Sequence, residues 1–358
     1  MSNAPRSFAV ASLLVSLAAA GCAGGVEPGG STGPVHAEPP APGAVVAPDG
    51  AGHVTFAINT LLVGDLDREG SAVAGAWKQY GFDLDGKISG VGQPDGLAGL
   101  CAPLGSASAA VVHLDGDDGI DNAFGKSLLP LILGVEPRFS SGIGRALGAG
   151  GTTVLIDLDG LGAGGDYTGM TARLYTGAPL GKTPVYDGSD VWPVRADSLL
   201  SPGDVGSARL SVTDSYVVGD TWVGRFEGEL TLELPWLDTL TMHLRVRDPI
   251  LSMSLDAARG RATLGTLAGV ISTADLLAEA EAEALLVDPT LCPATTTVAS
   301  ILAELGAVSD ILVDGTQDPA TACDGISIGL GFNAARVTRG SIVAPAPASP
   351  PVACALHD

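Results

Sequence analysis

The sequence predicts a mainly β domain, an antiparallel sandwich-like build with helical additions near residues 123–147 and 273–306. Three observations carry that expectation. From Ser207 to Ile271 apolar residues alternate in places with period two, as Phe226, Gly228, Leu230, Leu232 and Leu234 do, so one side of an extended segment faces a core. Gly, Asp and Pro interrupt this stretch at short intervals, the spacing of hairpins in a sandwich or flattened barrel. On either side of it lie segments with helical start and stop signals.

Taken in order, the chain opens as an export signal. Arg6 precedes the apolar run Phe8 to Ala20, too short for a bilayer span and followed by small residues. Those end in Ala19-Ala-Gly-Cys22, which resembles a bacterial lipobox with Ala19 where Leu is usual. Residues 1–21 are therefore read as a lipoprotein signal peptide and Cys22 as the lipidated residue. Several acyl chains, each buried methylene contributing about 0.8 kcal/mol, hold a protein firmly to a membrane. Residues 22–53, rich in Gly and Pro with Pro39-Pro-Ala-Pro42 at their centre, read as a partly extended tether. Residues 54–337 form the single globular domain, and 338–358 a Pro/Ala-rich tail whose most biased part is Ala344 to Val352.

Within the domain, Val54 to Val63 is the first strand, and Ser71 to Tyr80 fits a short strand or helix. After a glycine-rich loop from Gly81 to Gly99, the small apolar run Ala107 to Leu114 has strand length. Asp121 or Asn122 is placed to cap a helix beginning near Ala123, and Pro137 and Gly148-Ala-Gly-Gly151 bound a second helical piece. Thr152 to Asp157 is a β-branched strand. Past the β-rich centre, Ser272-Thr-Ala-Asp275 resembles a capping box opening a helix from Ala274 to Val287, stopped by Asp288-Pro289. Val298, Ile301, Leu302 and Leu305 share one face of another helix, with Gly306 as its stop. Ile326 to Val337 returns to strand.

Charge narrows the function classes. The chain has 40 Asp+Glu against 18 Lys+Arg, a formal charge of -22, and so lacks the basic surface that nucleic-acid binding needs. Charged residues are only 16% and hydrophobics 46%, a folding composition rather than a disordered one. After Cys22, four cysteines remain: Cys101, Cys292, Cys323 and Cys354. An even number in an exported chain suggests two disulfides. The favoured pairing is Cys292 with Cys323, which bracket a helical section, leaving Cys101 for Cys354; a free Cys354 is the alternative.

The densest set of hard oxygen ligands lies in His113-Leu-Asp-Gly-Asp-Asp-Gly-Ile-Asp-Asn122. Asp115, Asp117, Asp118, Asp121 and Asn122 are candidate calcium ligands, because that cation takes six to eight oxygens. Asp83 and Asp85 join them from Gly81-Phe-Asp-Leu-Asp-Gly-Lys-Ile88. On an EF-hand loop, Asp83, Asp85, Gly86 and Ile88 fall at the third, fifth, sixth and eighth positions, but Gly81 and Gly92 stand where the first and twelfth ligands belong. A complete EF-hand is excluded, and an irregular shared site or a solvated turn remains. The Asp-Leu-Asp pattern recurs at Asp65/Asp67, Asp83/Asp85 and Asp157/Asp159, placing paired carboxylates on one face of an extended segment; strand-end solubility is the simplest reading.

Other chemistries lack their signatures. Gly119 to Ser127 ends in Gly-Lys-Ser but is one residue too long for a P-loop, and Gly142 to Gly148 is one too long for a dinucleotide fingerprint. Gly-x-Ser-x-Gly occurs at Gly29 to Gly33, in the Gly/Pro-rich tether, and at Gly325 to Gly329, at the start of the strand read from Ile326 to Val337 rather than at a strand-to-helix turn, and there is no His-Glu-x-x-His. His113, beside the aspartates, is the histidine to watch as a base or ligand, with His243 read as structural. Trp77, Trp192, Trp222 and Trp236 serve either as sugar-stacking rings or as core anchors.

The segments DGDDGIDNAFG (Asp115 to Gly125), GTLAGVI (Gly265 to Ile271) and DGTQDPATACDGIS (Asp314 to Ser327), in that order behind a lipobox and a Pro/Gly linker, resemble a family of uncharacterised exported bacterial lipoproteins. That resemblance implies export and one domain of this length, and brings no activity, cofactor or active site with it. The expectation is a protein lipid-anchored to the bacterial cell envelope, at the outer membrane or periplasmic face. It reads as a binding module rather than an enzyme, taking a ligand or glycan with Ca2+ supporting its loops. A hydrolase of envelope or extracellular polymers acting through acids near His113, and a purely structural envelope protein, are the alternatives.

Overall fold

A computed structural model describes residues 34–44, 46–47, 52–236, 240–292, 295–345 and 354. The signal peptide, Cys22 and residues 23–33, 45 and 48–51 of the tether therefore lie outside the described residues. The domain is mainly β with a few helices, as its alternation predicts.

Among the described residues ten strands form one mixed sheet: β1 (His53–Leu62), β2 (Thr153–Asp159), β3 (Tyr167–Gly177), β4 (Val191–Arg195), β5 (Leu210–Val218), β6 (Thr221–Arg225), β7 (Glu229–Trp236), β8 (Leu240–Leu255), β9 (Arg261–Ser272) and β10 (Gly325–Val343). Antiparallel pairing runs from β1 through β2, β3, β5, β6, β8, β9 and β10, and β10 pairs back onto β1. The ladder thus closes on itself, and each strand of this circuit has a neighbour on both sides. Closure removes the unpaired edges that invite aggregation. Two strands lie outside the circuit: β7 pairs with the first half of β8, and β4 runs parallel to the end of β10. At Asp248, whose φ is 45°, β8 passes from β7 to β6; Asp248 and Gly228 exchange hydrogen bonds of 2.7 and 2.8 Å across that switch.

Alternation sorts each strand's side chains. Val54, Phe56 and Ile58 of β1, Val154, Ile156 and Leu158 of β2, and Ile326, Ile328, Leu330 and Phe332 of β10 enter the main core. On the opposite face Ala57, Leu155, Tyr175 and Val337 meet Trp192 and Val194 of β4 in a smaller second core. Full burial makes Trp192 and Trp222 core anchors. Trp77 is partly exposed, and the side chain of Trp236 lies outside the description.

The helices are α1 (Ala109–Val112), α2 (Leu129–Val135), α3 (Phe139–Gly148), α4 (Thr273–Val287) and α5 (Thr296–Gly306), with a π-type turn over Phe124–Leu128 leading into α2. Phe124, Leu128, Leu129, Ile132, Phe139, Ile143 and Leu147 pack into the same core as the strands. Both caps read from sequence form: Asn122 Oδ1 accepts from Gly125 N at 2.9 Å, and Ser272 Oγ from Asp275 N at 3.3 Å. Among the described residues no helix is long and apolar enough to cross a membrane.

Several expectations are corrected. Ala107 to Leu114 is not a strand, since its centre forms the helical turn α1; a short run of small apolar residues has no periodicity that separates the two. Strand β10 continues to Val343, six residues into the segment assigned to the tail, because β4 offers it a parallel partner there. The disulfides are Cys101–Cys323 and Cys292–Cys354, not the favoured pairing. Ala102 pairs with Ala322 and Cys323 N donates to Ala102 O at 2.9 Å, so a backbone ladder brings Cys101 to Cys323 from 222 residues away. Part of the tether is also docked. Ala37 N donates to Asp118 O at 2.8 Å, Asp83 N to Ala37 O at 2.9 Å and Tyr216 Oη to Pro40 O at 2.6 Å, with Pro39 buried between them.

Candidate functional site

The outer face of β10 carries Gly325, Ser327, Gly329 and Gly331, opposite the large residues that enter the core. This strip of small side chains lets two loops lie directly on the sheet. A Cβ at Gly329 would stand 2.1 Å from Tyr80 O, and one at Gly331 2.3 Å from Tyr80 Cε1. Asn122 fixes the second loop there: its Nδ2 donates to Trp77 O, Tyr80 O and Gly329 O at 3.1, 3.0 and 2.9 Å, and its Oδ1 accepts from Gly125 N and Gly329 N at 2.9 and 3.1 Å. With its amide so occupied, Asn122 is a clamp rather than a ligand.

The clamp brings Asp83 and Asp85 of the first loop beside Asp115 and Asp121 of the second. Ligand oxygens of Asp83, Asp85 and Asp121 lie within 4.8 Å of one another. Asp121 Oδ2 accepts from Leu84 N at 2.7 Å, and Asp115 accepts from Ser89 N. Asp83 Oδ1 accepts from Gly86 N at 2.7 Å and Lys87 N at 3.1 Å, while Asp85 takes Lys87 N and Gln317 Nε2, both at 2.8 Å. Asp117 and Asp118 do not join them. Both are exposed, on a turn where Asp118 takes a φ of 53°, and they point to solvent as the bland reading of that turn requires.

Three participants have no counterpart in the sequence reading. Asp310 is buried against β10, its carboxylate accepting from Ser327 N at 2.9 Å and Ser327 Oγ at 2.6 Å. Lys126, from the failed P-loop resemblance, donates its ammonium to Val112 O at 2.6 Å and Leu114 O at 2.7 Å. His36, from the docked tether, hydrogen-bonds Asp83 through Nδ1. A signal for Asp310 existed: an aspartate set in Val308-Ser-Asp-Ile-Leu312 can enter a core only if partnered. Nothing local pointed to His36, 47 residues from its partner.

Electrostatically the pocket is under tension. Burial pushes Asp85 up to about 6 and Asp115 up to about 8, with mutual repulsion adding to both. Asp121 and Asp310 are raised by burial as well, and Asp83 is raised by burial although His36 and two backbone amides pull the other way. Lys126 is lowered by burial against the pull of Asp310, Asp115 and Asp121. Such a group of carboxylates either holds protons or holds a cation.

His113 is not poised as a base. Its ring is buried, Nε2 lies 3.0 Å from Cys101 O, and burial lowers its pKa. The Asp157/Asp159 pair does share one face, since Arg173 Nη1 lies 2.5 Å from Asp159 and 3.9 Å from Asp157. Asp157 is nevertheless fully buried, receiving Thr55 Oγ1 at 2.6 Å, His53 Nε2 at 2.7 Å and Arg339 Nη1 at 2.5 Å, so it anchors the sheet rather than serving strand-end solubility. Beside it a polar cleft of about 530 Å³ is lined by His53, Thr55, Arg336 and Arg339.

No family model, curated protein or solved structure matches this chain. The functional reading accordingly rests on the geometry.

Proposed function

We propose that Asp83, Asp85, Asp115 and Asp121 bind one calcium ion, and that the chain is a lipid-anchored envelope protein whose ligand-binding loops this ion holds in shape. The observation that carries the reading is the convergence, on two clamped loops, of buried carboxylates that repel one another. Calcium suits an all-oxygen set supplemented by backbone carbonyls and water better than a softer metal does. The ion replaces protons the carboxylates otherwise retain, and ties the first loop to the second.

Trp77, partly exposed and flanked by the ammonium groups of Lys78 and Lys126, each 5.8 Å from its ring centre, is the aromatic side chain near these carboxylates that a glycan or other ligand would meet. Two disulfides suit an oxidising compartment outside the cytoplasm, and the lipobox at Cys22 supplies the anchor. A hydrolase built on His113 has less to support it, because that ring is buried.

The test is thermal unfolding of the chain in excess chelator and then across calcium concentrations. Binding to the native state raises stability by RT ln(1 + [L]/Kd), about 2.7 kcal/mol at a hundredfold excess over Kd. The rise is expected to vanish in Asp85→Asn and Asp121→Asn. An unchanged melting temperature up to millimolar calcium sinks the reading.

A further inference from the structure

The face of α4 that meets β8 carries a second group of metal-ligating side chains, on the other side of the chain's β-rich centre in sequence. Asp275, Glu279 and Glu283 are four residues apart and so lie on one side of the helix. Each of the first two meets a basic residue of β8: Arg247 Nη2 is 3.0 Å from Asp275, and His243 Nδ1 is 2.8 Å from Glu279 Oε1, which also accepts from His243 N at 2.9 Å. Glu283, the third, has no such partner. Its Oε2 is buried and makes no hydrogen bond. Burial and the neighbouring Glu279 charge raise its pKa.

We propose that His243, Glu279 and Glu283 bind a divalent transition-metal ion of the zinc class. One ligand atom from each of the three residues lies within 4.8 Å of the others. Drawing them onto a common ion at about 2.1 Å takes side-chain movements on the order of an ångström. An imidazole nitrogen with two carboxylates is a set that suits zinc, cobalt or manganese and leaves calcium and magnesium, which prefer oxygen alone, at a disadvantage. The His243 side chain is 42% exposed, so an ion has a way in. On binding, the metal takes the place of the proton shared between His243 Nδ1 and Glu279, and that proton leaves to solvent. It also gives the buried Glu283 oxygen the partner it lacks, which a burial of this kind otherwise has to forgo at a cost.

The experiment uses the full chain, stripped with chelator and then held in excess calcium so that the acidic pocket does not compete. Cobalt(II) is added and its visible absorption followed, with zinc as competitor. The expected result is a band that saturates at one equivalent, is abolished by zinc, and weakens by at least about tenfold in affinity in both His243→Ala and Glu283→Gln. His36→Ala is expected to leave the band unchanged. In chelator, Glu283→Gln is expected to melt above the parent, because it removes an unpartnered buried charge, and to lose the upward shift that zinc gives the parent. His243→Gln serves if His243→Ala fails to fold. The proposal is overturned by the absence of a band and of any zinc-induced melting shift in the parent, by an affinity in the His243 and Glu283 variants equal to the parent's, or by loss of the band in His36→Ala. None of these outcomes depends on whether calcium occupies the acidic pocket.

Discussion

Asn122 and Gly329 are joined through both ends of the asparagine amide, which donates to the Gly329 carbonyl at 2.9 Å and accepts from its N–H at 3.1 Å. That pair ties the acidic loop to the middle of β10 and decides where Asp115 and Asp121 stand. Asn122→Ala removes the clamp and leaves several buried backbone groups without partners, a loss of about 3 kcal/mol or more in urea unfolding. Asn122→Asp is expected to do no better, because a carboxylate cannot donate to the three carbonyls that Nδ2 serves.

The floor beneath the loops predicts an asymmetry among glycines. Gly329→Ala places a methyl 2.1 Å from Tyr80 O, against backbone that cannot yield, and is expected to prevent the loop from seating. Gly134 lies in α2 with no atom within 4 Å of its missing Cβ. Gly134→Ala is expected to raise stability by about 0.5–1 kcal/mol through helix propensity, measured by thermal melting.

The raised carboxylates give a pH dependence whose sign is opposite to that of ordinary acid denaturation. A carboxyl whose pKa is higher in the folded state holds its proton more tightly there, so the fold loses stability as pH rises past the unfolded value near ~4 and through the folded one. For Asp85 and Asp115 those folded values are about 6 and about 8. Metal-free protein is thus expected to melt lower at pH 8 than at pH 5. Added calcium is expected to erase or reverse that slope, and a chelated protein that melts higher at pH 8 would contradict the description of the pocket.

Asp157 is the buried anion of the sheet, and Arg339 and His53 face it. Asp157→Ala strands the Arg339 charge and is expected to cost about 3–5 kcal/mol, with Asp157→Asn falling between it and the parent. Urea titration of the three proteins, with Arg339→Ala alongside, separates the arginine's share.

Peptide mapping without reduction is expected to recover Cys101 linked to Cys323 and Cys292 linked to Cys354. The first bridge closes the longer span, 222 residues against 62, so its loss through Cys323→Ser is expected to be the more damaging. In the chain-entropy account the two are worth about 5 and about 4 kcal/mol.

Local signals in the sequence determine much of this. The alternation from Ser207 to Ile271 becomes β5 through β9, and the Ser272 and Asn122 caps start helices where short-range hydrogen bonding puts them. The expectation that nucleic acid is not a partner comes from charge and composition, because they are properties of the chain whatever its shape. Lipidation of Cys22 belongs to the sequence reading alone, since that residue lies outside the described structure. Only the tertiary structure decided the closure of β1 onto β10, the partner of each cysteine, and the division of the aspartates. Asp117 and Asp118 look like Asp115 and Asp121 in sequence, yet two are exposed and two are buried. The reason is physical: burial, and with it charge tension, is set by what packs over a residue, and here that is Asn122 clamped to Gly329, Asp310 bonded to Ser327 on the same face of β10, and His36 arriving from the tether. The Asn122–Gly329 and His36–Asp83 contacts span 207 and 47 residues, distances across which a sequence pattern carries no register.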